Sequence, residues 1–296
     1  MLLLTGATGL VGSALLRRLI DEEQPVRCLV RNPRRLGPQR VRVQIALGDL
    51  TNPPSFRNAM RGVDTVVHLA ASTRDQPRGS IEELVAMATW RMLDAAQRAG
   101  VEHFLYFSQL GASEHSKSRL FRSRAIAEHS VAEANIRSTV VAASLVYSPG
   151  DRWLKLIERL ARLPFLPVPG RGHAAVCQPI WAEDVADCLA AVLRSSEHHR
   201  DAHRRYELAG PQTLTYDEVL REVLRSLRRE RPLLHVPELV ASHALEGLER
   251  IMHSDTPLTW DEAESIQTNM VSKSGTHDAR TLGVNPRPID SVLGAG

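Results

Sequence analysis

The chain opens with an apolar run, Leu2 to Leu4, then a glycine-rich loop from Thr5 to Gly12, after which apolar positions recur at helical spacing through Leu19 and Ile20. A second apolar run, Val26 to Val30, closes a strand–helix–strand unit that ends on Arg31. Strand-like runs follow at Val41 to Ala46, Thr65 to Leu69, Phe104 to Ser108 and Thr139 to Ser144, with helix-length stretches such as Ile81 to Ala99 and Ser118 to Ala134 between the later ones. This alternation predicts an α/β fold of Rossmann type, a doubly wound parallel sheet with right-handed crossovers and its ligand beyond the strand C-termini. After Tyr147-Ser-Pro-Gly-Asp151 the pattern is less regular. Pro164, Pro167 and Pro169 end a basic helix from Trp153 to Leu163, and two further helices stand out at Ala182 to Arg194 and Thr215 to Arg229. The expected division is a dinucleotide-binding core over residues 1–150 and, over residues 151–296, a mixed segment that completes the core and forms a smaller substrate-side cap.

Gly6, Gly9 and Gly12 give the loop its chemical meaning. Glycines at this spacing let the chain turn tightly, approach a pyrophosphate without a Cβ in the way and pack the helix closely on the strand. The helix N-terminus then presents its N–H groups and positive dipole to the diphosphate. Three spaced glycines can also make a mere turn, but a strand before and a helix after favour nucleotide binding by Thr5, Gly6, Thr8, Gly9, Leu10, Val11 and Gly12. The residue that ends the second strand, about 20 positions beyond the loop, meets the adenosine ribose, where an acid favours NAD and an arginine tolerates the NADP phosphate. Here it is Arg31, with Arg34 and Arg35 close behind, so NADP(H) is favoured over NAD(H), the alternative being a solvated basic turn. Asp49 and Leu50 of Gly48-Asp-Leu50 are expected at the adenine, and Leu69, Ala70 and Ala71 would let the backbone run close to the dinucleotide. His68 reads as a satisfied strand-end histidine.

Composition narrows the remaining classes. A chain of 296 residues with net charge +3 holds ample material for one large domain, and its lysines are only Lys117, Lys155 and Lys273 against many arginines. No basic–aromatic motif points to nucleic acid. Cys28, Cys177 and Cys188 are odd in number and scattered, which predicts reduced core residues rather than disulfides or a zinc site. No apolar run reaches the roughly 20 residues of a membrane span, and Met1 to Leu4 is too short for a signal h-region, so a cytoplasmic location is expected, peripheral to a membrane complex if the chain docks on one.

Thr5 to Gly12, Gly48-Asp-Leu50, His68-Leu-Ala-Ala71, Phe107-Ser108 and Val146-Tyr-Ser-Pro-Gly-Asp151, in this order, resemble the extended and atypical short-chain dehydrogenase/reductases (NAD-dependent epimerase/dehydratase-like proteins). Tyr206-Glu-Leu-Ala-Gly-Pro-Gln-Thr-Leu-Thr-Tyr216 and the segment from Arg280 to Leu293 are similar to the branch containing the NADPH-binding 39-kDa subunit of respiratory complex I. In that superfamily a tyrosine is followed four residues later by a lysine. The ammonium holds the ribose and depresses the tyrosine pKa from about 10, so the phenol exchanges a proton while nicotinamide C4 exchanges hydride. The resemblance puts Leu120 in place of the tyrosine and Arg124 in place of the lysine, with Gln109 or Ser108 at the polar position after the fifth strand, Gln109 being favoured. Arg124 is left as a ribose or phosphate ligand. None of Tyr106, Tyr147, Tyr206 and Tyr216 is followed at the fourth position by lysine, the helix Ile81 to Ala99 carries no asparagine, and Ala142-Ala143 replaces the usual Arg-Pro pair.

Other candidates read as structural: Tyr147 as a packed ring, His115 and Lys117 as a solvated loop, and His198, His199 and His203 with Asp201 as an exposed turn rather than a metal site. Arginine faces beside the apolar stripes of Trp153 to Leu163 and Tyr216 to Arg229 suit a solvated surface, with docking on a membrane surface or a protein complex as the alternative. Two functions survive: an NADP(H)-binding accessory or assembly protein that holds the dinucleotide as a structural or sensing ligand, and an NAD(P)-dependent oxidoreductase or epimerase with a rearranged active site.

Overall fold

The computed structural model describes residues 1–170, 172, 174–196, 203–252 and 258–294. Its centre is a seven-stranded sheet in which every pairing is parallel. In chain order the first elements are β1 (Leu2–Thr5), α1 (Leu10–Asp21), β2 (Val26–Val30), β3 (Gln44–Leu47) and β4 (Thr65–His68). A π-turn at Glu83–Met87 leads into α2 (Ala88–Arg98), followed by β5 (His103–Gln109), α3 (Arg119–Ala132), β6 (Arg137–Ala143), β7 (Val146–Tyr147), α4 (Arg152–Leu160), β8 (Leu166–Pro169), β9 (Val176–Cys177) and β10 (Ile180–Trp181). The remainder is α5 (Ala182–Ser196), β11 (His203–Leu208), β12 (Leu214–Thr215), α6 (Tyr216–Ser226), β13 (Leu233–Val236), α7 (Glu238–Met252), α8 (Trp260–Ser265), α9 (His277–Thr281) and α10 (Ile289–Leu293).

The strand order β11-β6-β5-β4-β1-β2-β3 places β1 beside β4, so the order reverses there and a crevice opens beyond the C-termini of both strands. Because both faces are covered, the central strands are apolar throughout rather than alternating. One face buries Leu15, Leu16, Leu19, Val185, Leu189 and their neighbours under α1 and α5, and the other buries Met60, Met92, Phe104 and Val131 under α2 and α3. Arg18 on α1 pairs with Glu183 at 2.7 Å and with Asp187, both on α5, and staples the first layer. The seventh strand, β11, comes from the C-terminal half of the chain and pairs with β6.

Two expectations about elements are corrected. The third strand starts at Gln44, not Val41, because Pro33–Val41 winds as short helical turns broken by Gly37 at φ 60° and Pro38, and Val41 is 81% exposed. The stretch from Ile81 to Ala99 is not one regular helix, since its first part is the π-turn, a widening of the spiral that tends to occur beside functional sites. Thr215 caps α6 as its sequence implied, with Glu218 completing a reciprocal capping box. The three cysteines are free and buried, and burial pushes each thiol up to about 12. His203 is held by the Ser138 hydroxyl at 2.8 Å, and His198, His199 and Asp201 lie outside the described residues.

Two histidines are buried in the sheet. Burial, with positive Arg137 adding to it, lowers His103 to about 4, and its Nε2 meets the Thr139 hydroxyl at 2.9 Å. Burial and then Arg124 lower His68 to about 3. Both are neutral in the fold, whereas the unfolded chain protonates them near 6.5, so unfolding takes up protons between those values and stability falls as pH drops from 6.5 towards 4. The thermal midpoint should fall across that window, and His103→Gln should flatten the fall by the equivalent of about 2–3 kcal/mol, measured by calorimetry at stepped pH. An unchanged slope in the variant would remove His103 from the account.

Candidate dinucleotide site and adjoining cavity

Gly6, at φ +72°, turns the chain out of β1 directly against the segment after β4: a Cβ placed on it would lie 2.7 Å from the Ala70 nitrogen. A Cβ on Gly12 would lie 2.1 Å from the Gly6 carbonyl oxygen, so the first turn of α1 presses on the loop it emerges from. Gly9 caps α1 in an extended conformation, and no acidic side chain occupies the first helical turn. The free N–H groups of that turn therefore face the crevice with their positive field unquenched. The Thr5 hydroxyl joins the two crossing segments, accepting from the Ala70 N–H at 3.2 Å and meeting His68 Nδ1 at 2.9 Å. His68 thus serves as a neutral strut under the crevice, satisfied at Nδ1 only, since its buried Nε2 has no hydrogen-bond partner among the described residues.

The crevice is a cavity of about 540 Å³, ample for a dinucleotide. Thr5, Gly6, Thr8 and Gly9 form its floor, Arg31 closes one end, and Asp49, Leu50, Leu69, Ala70 and Ala71 line its walls. Arg35 joins Arg31 at that end, while Arg34 does not line the cavity. Asp49 accepts from the Thr51 N–H and hydroxyl at 3.0 and 2.9 Å and from Arg78 at 3.2 Å. Partial burial opposes its charge, but Thr51, Arg78 and nearby Arg31 outweigh it and hold the carboxyl below the usual range. Of the other residues expected at the cofactor, Leu10 begins α1, and Val11 and Gly12 are buried in its first turn. None of the three lines the cavity. Ser108 is buried in β5 away from it, and Arg124 is buried with its guanidinium donating to the Phe107 carbonyl at 3.1 Å.

A second cavity of about 320 Å³ adjoins the first, and Arg152, the first residue of α4, lines both. Gln109 and Leu120, the positions singled out by the sequence resemblance, meet here, with Leu145, Val146, Trp153, Leu156, Ile266 and Met270 around them. The Gln109 amide nitrogen points to the Met270 sulfur at 3.0 Å. Tyr216 is the tyrosine among the described lining residues; its hydroxyl accepts from Trp153 Nε1 at 2.9 Å, and burial raises its pKa, making it a weaker acid. Tyr147 is a fully buried core ring, and His115 and Lys117 are exposed on their loop. Glu262 on α8 gathers the rim, taking Arg74 at 2.5 Å, the Thr73 hydroxyl at 2.7 Å and Arg152 at 3.8 Å. Sequence reading did not find Thr73, Arg74, Arg152 or Glu262. The contacts of Thr73 and Arg74 with Glu262 span 189 and 188 residues, beyond the reach of any local pattern.

The glycine loop, the strand reversal and the crevice define a Rossmann-type dinucleotide-binding protein. Residues 6–148 match the NAD(P)H-binding family model. The chain is 25% identical, over 97% of its length and 81% of the relative's, to NADH dehydrogenase (ubiquinone) 1 alpha subcomplex subunit 9, mitochondrial, of Dictyostelium discoideum. It is 29% identical to the photosystem II assembly factor Ycf39 of Cyanophora paradoxa over 47% of this chain and 43% of that protein. Its fold is similar to NADPH-dependent quinone oxidoreductase QOR2 of Escherichia coli in complex with NADPH, with a TM-score of 0.77 at 19% identity over 100% of this chain and 99% of that one. The family-model match and these relatives, which include the complex I subunit branch that the sequence resembles, support a place among the atypical short-chain dehydrogenase/reductases. Among the described residues no helix is long and apolar enough to cross a membrane.

The close approach of Gly12 to Gly6 predicts an ordered pair of losses. Gly12→Ala should lower the thermal midpoint markedly, since the backbone it meets must move, whereas Gly9→Ala, whose Cβ would lie 3.2 Å from the Gly6 carbonyl oxygen, should cost much less stability and instead weaken NADPH binding where the loop approaches the pyrophosphate. Scanning calorimetry checks the order of stability losses, and equal losses would break the packing argument.

Proposed function

We propose that this protein binds NADP(H) in preference to NAD(H) and uses it as a structural or sensing ligand in an accessory or assembly role, without the Tyr–Lys proton transfer of its superfamily. In this reading residues 1–150 hold the dinucleotide and residues 151–296 complete the core and form a cap that covers the second cavity. The observation that carries it is the lining of the second cavity: Gln109 and Leu120 stand there, and Arg124, which lines neither cavity, is turned to the Phe107 carbonyl. Leucine exchanges no proton, and the phenol beside Arg124 is that of Tyr106, which is buried in β5, has its pKa raised by burial and lines neither cavity. The complex I subunit and the assembly factor among the relatives support an accessory role beside a membrane complex. Arg31, with Arg35, supplies the guanidinium groups for a 2′-phosphate.

A second reading rests on the apolar cavity that meets the dinucleotide crevice at Arg152. Any reduction there needs an acceptor whose product anion is stable without an enzymatic acid. Hydride from nicotinamide C4 brings both electrons, and a quinone-type ring receiving it becomes a phenolate, with a conjugate pKa of about 10, that takes its proton from water. An aliphatic ketone would leave a far more basic alkoxide. Gln109 would donate its amide N–H to the developing oxyanion.

Purified protein should bind NADPH yet oxidise it with an aliphatic ketone no faster than Gly12→Ala does, and ketone turnover above that background would overturn the first reading. Turnover confined to a quinone would favour the second. Arg31→Ala should weaken NADPH by about ten- to a hundred-fold while leaving NADH nearly unchanged, measured by fluorescence titration. Equal losses for both would remove the NADP preference.

A further inference from the structure

The far end of α4 carries a surface that neither cavity explains. The helix buries Leu154 and Ile157 and exposes Lys155, Glu158 and Arg159. The turn after it, Arg162-Leu-Pro-Phe165, is exposed at every position, with Leu163 43% and Phe165 40% accessible. A single exposed apolar side chain means little. Two in one turn, on either side of a proline, with Leu234 exposed on the neighbouring strand β13, form a small apolar apex. Arg229 and Arg231 both donate to the Ala161 carbonyl, at 3.0 and 3.1 Å, which pins two more guanidinium groups at the base of the same turn. Glu158 and Glu230 are the acidic residues close by in the chain, and the basic groups outnumber them.

Two of the three backbone N–H groups of this turn are satisfied: Arg162 bonds to Arg159 and Leu163 to Leu160, while Pro164 has no N–H to lose and Leu166, just beyond, bonds to Pro232. Such a turn strands few donors on leaving bulk water. Its layering, an apolar tip with cations set one turn back, matches the depth order of a lipid leaflet, where phosphates lie above the acyl boundary.

We propose that the Arg162–Phe165 turn is an interfacial wedge that seats the protein on an anionic lipid bilayer, with Leu163 and Phe165 entering the headgroup layer and Arg159, Arg162 and the pinned arginines lying on lipid phosphates. The proposal deepens the accessory reading by naming the surface on which the protein docks, and it stands apart from dinucleotide chemistry. The full chain should co-sediment with phosphatidylglycerol vesicles and not with phosphatidylcholine vesicles, and added salt should weaken the binding. Arg159→Gln with Arg162→Gln should weaken it about fivefold per charge. Leu163→Ser with Phe165→Ser should weaken it at least about tenfold even at low salt. Thermal unfolding of each variant verifies the fold, and the charge pair decides independently should the apolar pair fail to fold. Absence of binding to the anionic vesicles, equal binding to both lipids, or an apolar variant that binds like the parent would each overturn the proposal, the last by reducing the contact to bare charge attraction. Cofactor titration is a separate measurement, so failure here and failure of the dinucleotide reading are distinguishable.

Discussion

Two backbones cross almost in contact at the reversal of the sheet, and the rest of the site depends on that crossing. The loop leaving β1 is held between the segment after β4 and the first turn of α1, with room for hydrogen but not for a methyl at Gly6 and Gly12. Because strands β1 and β4 are neighbours, the loops after them diverge to opposite faces and leave the crevice between them. The Thr5 hydroxyl and neutral His68 tie the crossing from below. A charged imidazole at that depth would strand its charge, so the burial that lowers His68 to about 3 also keeps the floor of the crevice intact.

The two cavities divide the chemistry. The crevice offers helix N–H groups, Arg31 and Arg35, which suit phosphate; its neighbour offers aliphatic and aromatic walls with one amide, Gln109. Arg152 stands between them, close to Glu262, which is already committed to Arg74 and Thr73. Arg152 brings a guanidinium to the junction, which suits an anionic or electron-rich group there. The same cluster joins the segment after β4 to α8.

The five inner strands of the sheet were legible because each is a short apolar run with turn chemistry at its ends, and the glycine loop was legible because its spacing has a steric cause. The edges were less so: β11, His-Arg-Arg-Tyr-Glu-Leu, carries no apolar run and was not read as a strand, and β3 was started too early. Ile45 and Leu47 are exposed on β3, so burial imposes no pattern there, and the apolar Val41 that suggested an earlier start lies in a turn. The π-turn was hidden because Ile81 to Ala99 keeps helical composition while its hydrogen bonding shifts by one residue. The second cavity was half visible. Gln109 and Leu120 came from the resemblance, but Thr73, Arg152, Glu262 and Met270 meet only through the C-terminal fold, where β7, β9, β10 and β12 are two residues long and carry no periodicity. Ser144 does this stitching: its hydroxyl donates to the Met270 carbonyl at 2.6 Å and accepts from the Gln178 N–H at 2.8 Å.

Helix α4 places the cofactor junction and the basic, apolar turn at opposite ends of one rigid element. Arg152 opens it and Leu160 closes it, a span of roughly 14 Å at 1.5 Å per residue. Its amphipathic face is locked on α6 through Leu154, Ile157, Leu220 and Val223, so it cannot rotate without opening a core. A rigid helix can carry a small displacement from one end to the other, but coupling requires that a ligand favour one position over another. In this fold the candidate for that preference is Arg152, which can exchange Glu262 for an anionic group in the crevice. A dinucleotide that leaves the Arg152–Glu262 contact unchanged has no leverage on α4, and one that draws the guanidinium inward moves a long, flexible side chain first, so the packing of α4 on α6 keeps the helix and the turn beyond it in place.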